Sequence, residues 1–470
     1  MATILILGGG TTGLTAGLLL ARDGHTVDVL EADAGMPPDG PPAAWASWAR
    51  DGVAQFRQPH FLQPRGRALY AQELPEVLGA LEQARALRFT TLCTMPARIT
   101  DRAPRPGDER LETLTARRPV LERAIAWVAA AQPGLTVRRG VRVTGVTAAP
   151  VRGGVPHVGG VATADGERLE ADLVVDAMGR RSPLPAWLRK AGVVVPEHSE
   201  DVGFMYYSRF FRANGGGLPA FRAALNTPLG SITILTLPAD ADTWSVTVYG
   251  LAGDQAIKRL RHASCFDAVV AACPAHAHWL DGEPITDVLP MAGVLDRRRR
   301  LTEGGRPLVT GVALVGDAWA CTNPSLGRGL TLGLLHALLL RDVARTGVED
   351  RHAFARAWDE STERELGPWY ADTVEQDRAA VRAMEAARAG WTLSAPGTVA
   401  AALRTAVSHD ADAFRLLVAN RACWTTMREG LSDRATAARI RQVARDHEPV
   451  QPPGPSRQRL LGLLAEPLAA

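Results

Sequence analysis

The apolar run Thr3–Leu7 opens directly onto Gly8-Gly9-Gly10-Thr11-Thr12-Gly13, and this junction restricts the chain to few folds. A short, continuously apolar run suits a strand buried on both faces of a parallel sheet, and glycines mark its end. Leu14–Arg22 then reads as a helix, Gly24 closes it, and Thr26–Leu30 reads as a second strand. Gly8, Gly10 and Gly13, with Thr12 inside the turn, satisfy GxGxxG. Gly8 permits the tight turn, Gly10 lets a pyrophosphate approach the backbone, and Gly13 lets helix and strand pack closely. The helix N-terminus aims its free N–H groups at the phosphates. Glu31 follows 18 residues after Gly13, where a carboxylate can hydrogen-bond a ribose diol. The order strand, turn, helix, strand, acid predicts a dinucleotide site for an unphosphorylated adenosine ribose, so FAD or NAD rather than NADP.

A second motif lies far downstream. Pro307–Val315 reads as an apolar strand, followed by Gly316-Asp317-Ala318, then Pro324, Gly327, Gly329, Leu330 and Thr331, and a leucine-rich helix running to about Val343. This segment resembles the second FAD motif of the aromatic-hydroxylase family of flavin monooxygenases, whose fold is that of p-hydroxybenzoate hydroxylase. The resemblance implies that Asp317 holds the flavin ribityl chain and that Pro324 sits beside the isoalloxazine. Gly327, Gly329, Leu330 and Thr331 would supply backbone contacts at a helix N-terminus that stabilises negative charge on reduced flavin. Three smaller matches follow the family in chain order. Arg50 resembles the arginine that contacts the pyrophosphate, and Arg118 begins the helix whose polar side chain reaches ribityl and phosphate. Val137–Val146 looks like the strand pair that places the Val143 amide against adenine.

The family implies an α/β protein with a glutathione-reductase-type FAD-binding fold, an antiparallel-sheet substrate domain and a C-terminal helical region. The expected division is 1–185 with 300–345 for FAD, with 60–100 contributing to the substrate pocket, then 186–299 for substrate and 346–470 for the helices. The implied activity is transfer of one oxygen atom from a flavin C4a-hydroperoxide, formed with O2, to a hydrophobic small molecule, by epoxidation or hydroxylation. Secondary metabolism is the expected setting. NADPH or NADH would supply electrons, directly or through a separate flavin reductase. A reductase or dehydrogenase without oxygenation, a halogenase, and a flavin-fold binding protein are the alternatives.

The chain departs from the hydroxylases at Leu173–Ser182, LVVDAMGRRS. Aligned on Gly179, Met178 stands where that family has an aspartate involved in flavin and NAD(P)H handling, and Asp176 falls two residues earlier. The segment is closer to the D-A-x-G-R pattern of flavin epoxidases, halogenases and prenyl reductases. Ala320 replaces a histidine common in hydroxylases. The halogenase branch requires a lysine near the substrate and a WxWxIP motif. This chain has only Lys190 and Lys258 and no such motif, and Trp45 and Trp48 are expected in the core or on a pocket wall.

Between Asp201 and Leu251 the pattern alternates and is rich in aromatics, as in an antiparallel sheet. Tyr206, Tyr207, Phe210, Phe211, Trp244 and Tyr249 are candidates for an apolar pocket. Arg209 is a candidate anchor for a polar substrate group, and His60 a candidate proton donor. Five scattered cysteines without CxxC or Cys/His spacing argue against disulfides and metal sites. The net charge of +3 carries no nucleic-acid signature, and Arg297–Arg300 is expected in a solvated loop or helix end. Residues 2–21 are uncharged, but their glycines and threonines fit a strand and helix better than a membrane span or signal segment. A soluble, cytoplasmic protein is the expectation. Residues beyond Arg345 read as helical, and Pro452-Pro453-Gly454-Pro455 precedes a short amphipathic tail.

Overall fold

The computed structural model describes residues 1–149, 154–391 and 397–465; the end of the tail, 466–470, lies outside them. In chain order, β1 (Thr3–Leu7), α1 (Thr11–Arg22) and β2 (Thr26–Glu31) form the predicted N-terminal unit. Helix α2 (Arg118–Ala130) leads to β3 (Leu135–Arg139). Next come β4 (Val143–Ala149), β5 (His157–Thr163), β6 (Arg168–Glu170) and β7 (Leu173–Asp176). The strands β8 (Phe204–Arg212), β9 (Asn226–Leu229), β10 (Ile232–Pro238) and β11 (Thr243–Leu251) form the second region. The chain then returns through β12 (Val312–Leu314) into α3 (Gly329–Ala344). Helices α4 (Gly367–Ala389) and α5 (Ala411–Arg421) belong to the C-terminal part.

The first sheet is parallel throughout, in the order β12-β7-β1-β2-β3. Ile4 and Ile6 point into a cluster with α1, α2 and α3, whereas Leu5 and Leu7 face Val158 and Val161 of the β4-β5-β6 sheet. All four are at most 1 % exposed, and full burial of such side chains contributes about 1.5–3 kcal/mol each. Two covered faces explain why β1 is apolar at every position after the first. Strand β12 is much shorter than the sequence suggested, because Gly311 at φ 75° interrupts the run Pro307–Val315.

The second sheet is antiparallel, with β9-β10-β11-β8 in sequence of pairing. One face, with Tyr207, Phe211, Trp244, Val246 and Val248, packs on helix Ala263–Ala271 and on Leu460 and Leu464 of the tail helix Arg457–Ala465. The other face turns towards α4, with Phe204, Tyr206 and Tyr249 against Met384.

The arginine run corrects an expectation. Residues Leu295–Arg299 form a strand between Glu197–Asp201 and Ala320–Cys321, and each arginine has a partner. Arg297 donates to the Arg180 carbonyl, Arg298 pairs with Glu363, Arg299 with Glu197 and Arg300 with Asp359. Carboxylates brought from both sides of the strand convert a like-charge run into cross-links. Among the described residues no helix is long and apolar enough to cross a membrane, and no group of acidic, histidine or cysteine side chains could hold a metal ion.

Candidate functional site

A cavity of about 510 Å³ runs from the end of β1 to the antiparallel sheet. At its first end the three motif glycines have separate tasks. Gly8 has φ +104°, and a Cβ there would meet the Ala177 carbonyl at 2.7 Å. A Cβ on Gly13 would overlap the Gly8 carbonyl oxygen, so this glycine lets α1 approach β1. Gly10 faces open space on the cavity wall, the geometry a pyrophosphate needs. Thr12 also lines the cavity, and its side chain packs against Gly316 and Gly333.

Glu31 ends β2 and is buried. The Gly9 N–H donates to its Oε2 and the Asp33 N–H to its Oε1, each at 2.8 Å. Arg50 donates to the Gly9 carbonyl at 3.0 Å and to Asp33 at 3.3 Å, and pairs with both Glu31 and Glu122. Glu122, fully buried on α2, also accepts from Arg118 Nε at 3.2 Å. Val141, Arg142 and Val143 form the wall beside Glu31 and Asp33.

Midway, Asp317 stands just beyond β12, and no described residue donates a hydrogen bond to its carboxylate. Burial raises its pKa, opposed by the nearby cations Arg118, Arg180 and Arg297. Pro324, Gly327 (φ +63°), Gly329 and Leu330 form the facing wall at the N-terminus of α3. Thr331 instead lies behind that wall, where its Oγ1 accepts from the Gln63 N–H at 3.2 Å.

His60 is also on the wall, but its ring is committed. Arg118 can only donate, so His60 Nε2 accepts from Arg118 Nη1 at 2.9 Å, and Nδ1–H must then donate to the Gln58 carbonyl at 2.8 Å. Burial, reinforced by the adjacent Arg118 cation, lowers its pKa to about 3. A neutral ring with both nitrogens engaged positions Arg118; it does not offer a proton to a substrate as expected. Burial likewise lowers the Arg118 pKa to about 10, which leaves it cationic at neutral pH.

At the far end the wall includes Leu225, Leu235, Leu237, Met291 and Val294, together with Val418, Arg421 and Ala422 at the end of α5. The candidate aromatics are not on it. Tyr207, Phe211 and Trp244 occupy the opposite face of the sheet. Tyr206 and Tyr249 stand one layer back, bonded to Asn323 and Asn226 respectively. Phe210 packs on Trp45 at 4.8 Å, and Trp48 meets Phe56 edge-on at 5.2 Å. Arg209 also points away: strand alternation turns it to Asp267, at 2.7 Å, and to the Thr286 carbonyl. It therefore does not anchor a ligand in this cavity.

Asp176 is buried behind the wall, accepting from the Ser182 hydroxyl and the Met178 N–H, while Met178 itself lines the cavity. Burial raises the Asp176 pKa to about 6. Sequence reasoning missed three further groups. Glu122 sits four residues after Arg118, a legible helical ion-pair spacing. Asn323 is clamped by Asp296, which accepts from its N–H at 2.8 Å, and by Asp377, which accepts from its side-chain amide at 2.9 Å. Arg328, 2 % exposed between the two cavity-wall glycines, pairs with Asp372 at 2.8 Å and donates to Thr373 and Asn420. The last two sets join residues 27 to 92 positions apart and leave no local pattern.

No family model matches the chain. A curated relative, Protein Rv3254 of Mycobacterium tuberculosis, is 30% identical over 177 residues, which is 37% of either chain; the alignment thus spans little more than a third of that relative's length. Among solved structures, the Diels-Alderase PyrE3 of pyrroindomycin biosynthesis superposes with a TM-score of 0.60 at 21% identity, covering 89% of this chain and 80% of its own. PqsL, described as a probable FAD-dependent monooxygenase from Pseudomonas aeruginosa, gives 0.57 at 17%, covering 88% and 99%. The flavin-dependent brominase Bmp2 gives 0.58 at 14%, covering 94% and 98%. The chain has the fold of flavin-dependent monooxygenases and halogenases. Its residues fit a flavin dinucleotide: an open glycine turn, a buried acid at the end of β2, and a carboxylate at Asp317 without a donor among the described residues.

Proposed function

We propose that the protein binds FAD and uses it to transfer one oxygen atom to a hydrophobic small molecule, with NADPH or NADH as the ultimate electron donor. The observation that carries this reading is a continuous cavity linking the glycine turn, Asp317 and Pro324 to a chamber walled by Leu225, Leu235 and Leu237. FAD supplies redox chemistry and reactivity with O2 that no side chain here provides. Asp317 and Arg118 would hold its ribityl and phosphate portion, Glu31 its adenosine ribose, and the N-terminus of α3 its pyrimidine edge. The apolar chamber keeps water from the reacting centre. PqsL was solved in complex with 2-aminobenzoylacetate, which supports a small-molecule substrate. Neither Lys190 nor Lys258 is on the cavity wall, which argues against halogenation.

The test is reconstitution with FAD followed by anaerobic titration with NADPH and then NADH, monitoring the visible flavin band. Bleaching is expected if the chain reduces its own flavin despite Met178; an unchanged band with flavin bound assigns reduction to a separate reductase. Product formation coupled to O2 uptake separates oxygenation from a reductase or dehydrogenase. Asp317→Ala should lower FAD affinity about 10- to 100-fold, and full retention of flavin overturns the assignment of the site. The likeness to a Diels-Alderase over 89% of the chain favours a second reading, action on a bound ligand without redox turnover; substrate conversion by the oxidised protein without O2 would select it.

A further inference from the structure

Among the described residues, the far end of the cavity carries one polar side chain without a protein partner, that of Arg421. Thr91 Oγ1 donates to the Leu111 carbonyl at 2.9 Å, and Thr94 Oγ1 to the Thr91 carbonyl at 2.9 Å. The Asn226 amide donates to the Ser325 carbonyl at 3.0 Å, and its oxygen accepts from the Tyr249 hydroxyl. Arg421, the last residue of α5, also lines this end. Among the described residues its guanidinium has neither a carboxylate partner nor a hydrogen-bond acceptor. A cation at a helix C-terminus can interact with the terminal carbonyls, yet no carbonyl of α5 accepts from it.

The backbone on both sides of Arg421 is nevertheless held firmly. Asn420 is fully buried; it accepts from Arg328 Nη2 at 2.8 Å and donates to Asp372 and to the Thr425 carbonyl, each at 3.1 Å. The Arg65 N–H donates to the Ala422 carbonyl at 3.2 Å, and Arg65 Nη1 to the Cys423 carbonyl at 3.0 Å. The helix end is thus pinned on two sides while the intervening guanidinium is aimed at an apolar chamber. Burial, together with the Arg328 cation, lowers its pKa, so an arriving anion would relieve both the desolvation and the like-charge repulsion. Desolvated guanidinium groups bind carboxylates bidentately and strongly.

Resting on the reading of this cavity as the substrate site, we propose that Arg421 is the substrate anchor and that the ligand is an apolar molecule bearing a carboxylate. The apolar body lies against Leu225, Leu235, Leu237 and Val418, and the carboxylate meets Arg421. The guanidinium would orient the molecule with its apolar part directed towards Pro324.

Isothermal titration calorimetry on the full, FAD-loaded chain tests this with benzoate, cinnamate and 2-naphthoate, each against its neutral primary amide. At least one carboxylate should bind 10-fold or more tightly than its amide. Arg421→Gln should reduce that preference to about 2-fold or less with flavin content and melting temperature unchanged, and Arg421→Lys should keep part of it. Lack of any carboxylate preference in the native chain, or a preference that survives Arg421→Gln, overturns the assignment. Loss of flavin from Arg421→Gln also overturns it, by placing the residue in the cofactor site. Native protein that takes up no FAD, while still showing an Arg421-dependent preference, overturns the proposed function and leaves the carboxylate site standing.

Discussion

The two ends of the cavity are built on opposite terms. At the end proposed for adenosine, Glu31, Asp33 and Glu122 surround Arg50, and Glu122 also holds Arg118. At the end proposed for substrate, aliphatic side chains from four separate stretches form the wall, and among the described residues one guanidinium, that of Arg421, is left uncommitted. The first end resembles a rigid socket for a constant ligand. The second is a surface whose shape is set by side chains that can change without disturbing the sheet beneath. A cofactor common to many enzymes and a substrate peculiar to one would need this division.

The largest effect that could break the comparison is at the glycine turn. Gly13→Val would force α1 away from β1, because even a Cβ overlaps the Gly8 carbonyl. The expected outcome is little soluble protein and no bound FAD, measured by expression and flavin fluorescence. Normal flavin content would show that the socket is not rigid. Next, Arg50→Met strands the fully buried Glu122 with only Arg118 as partner. Breaking a buried ion pair costs about 3–5 kcal/mol, and a second change, Glu122→Gln, should recover part of it in denaturant unfolding.

An intermediate effect belongs to the acids behind the Asn323–Ser325 turn. Burial raises Asp377 to about 7 and Asp296 to about 6. A carboxyl whose folded pKa lies above its unfolded value holds its proton longer in the folded state, so these two acids contribute stability that is lost as pH rises from about 4 to 7. The rings of His60, His276 and His336, whose pKa burial lowers, act in the opposite direction over the same range. Relative to the native chain, Asp377→Asn should therefore gain about 2–4 °C in melting temperature between pH 4 and pH 7. Absence of that gain would mean that Asp377 is ionised in the folded protein throughout. The smallest effect is expected from Leu235→Ala at the apolar end. It should weaken binding of the aryl carboxylates about 3- to 10-fold while leaving FAD affinity unchanged; a matching loss of FAD affinity would mean that the two ends are not independent.

Legibility followed the same division. Strand β1, the glycine turn, α1 and Glu31 are contiguous, and each position has one physical requirement, so spacing revealed them; the Asp317 segment was legible through its resemblance to a known family motif. The aromatics of β8 and β11 misled because period-2 alternation shows that two faces exist but not which one meets the cavity. Arg209 failed for that reason. His60 lies on the cavity wall, but its partner Arg118 is 58 residues away, and the partner determines its protonation. Arg421 had no signal at all, since the packing of α5 on Met95, Ile99 and Leu111 and the hydrogen bonds of Asn420 to Asp372 and Arg328 bring it to the chamber.

The ion pair between Arg328 and Asp372 makes the motif region depend on a part of the chain that carries no motif. A fragment ending near residue 345 would contain both glycine motifs, Glu31 and Asp317. It would also hold a buried guanidinium directly beneath the turn, with the carboxylate, hydroxyl and amide that accept from it removed. Boundaries drawn from motifs alone would therefore yield an unstable expression product, and grafting a foreign C-terminal region would succeed only if it returns an acid to the position of Asp372.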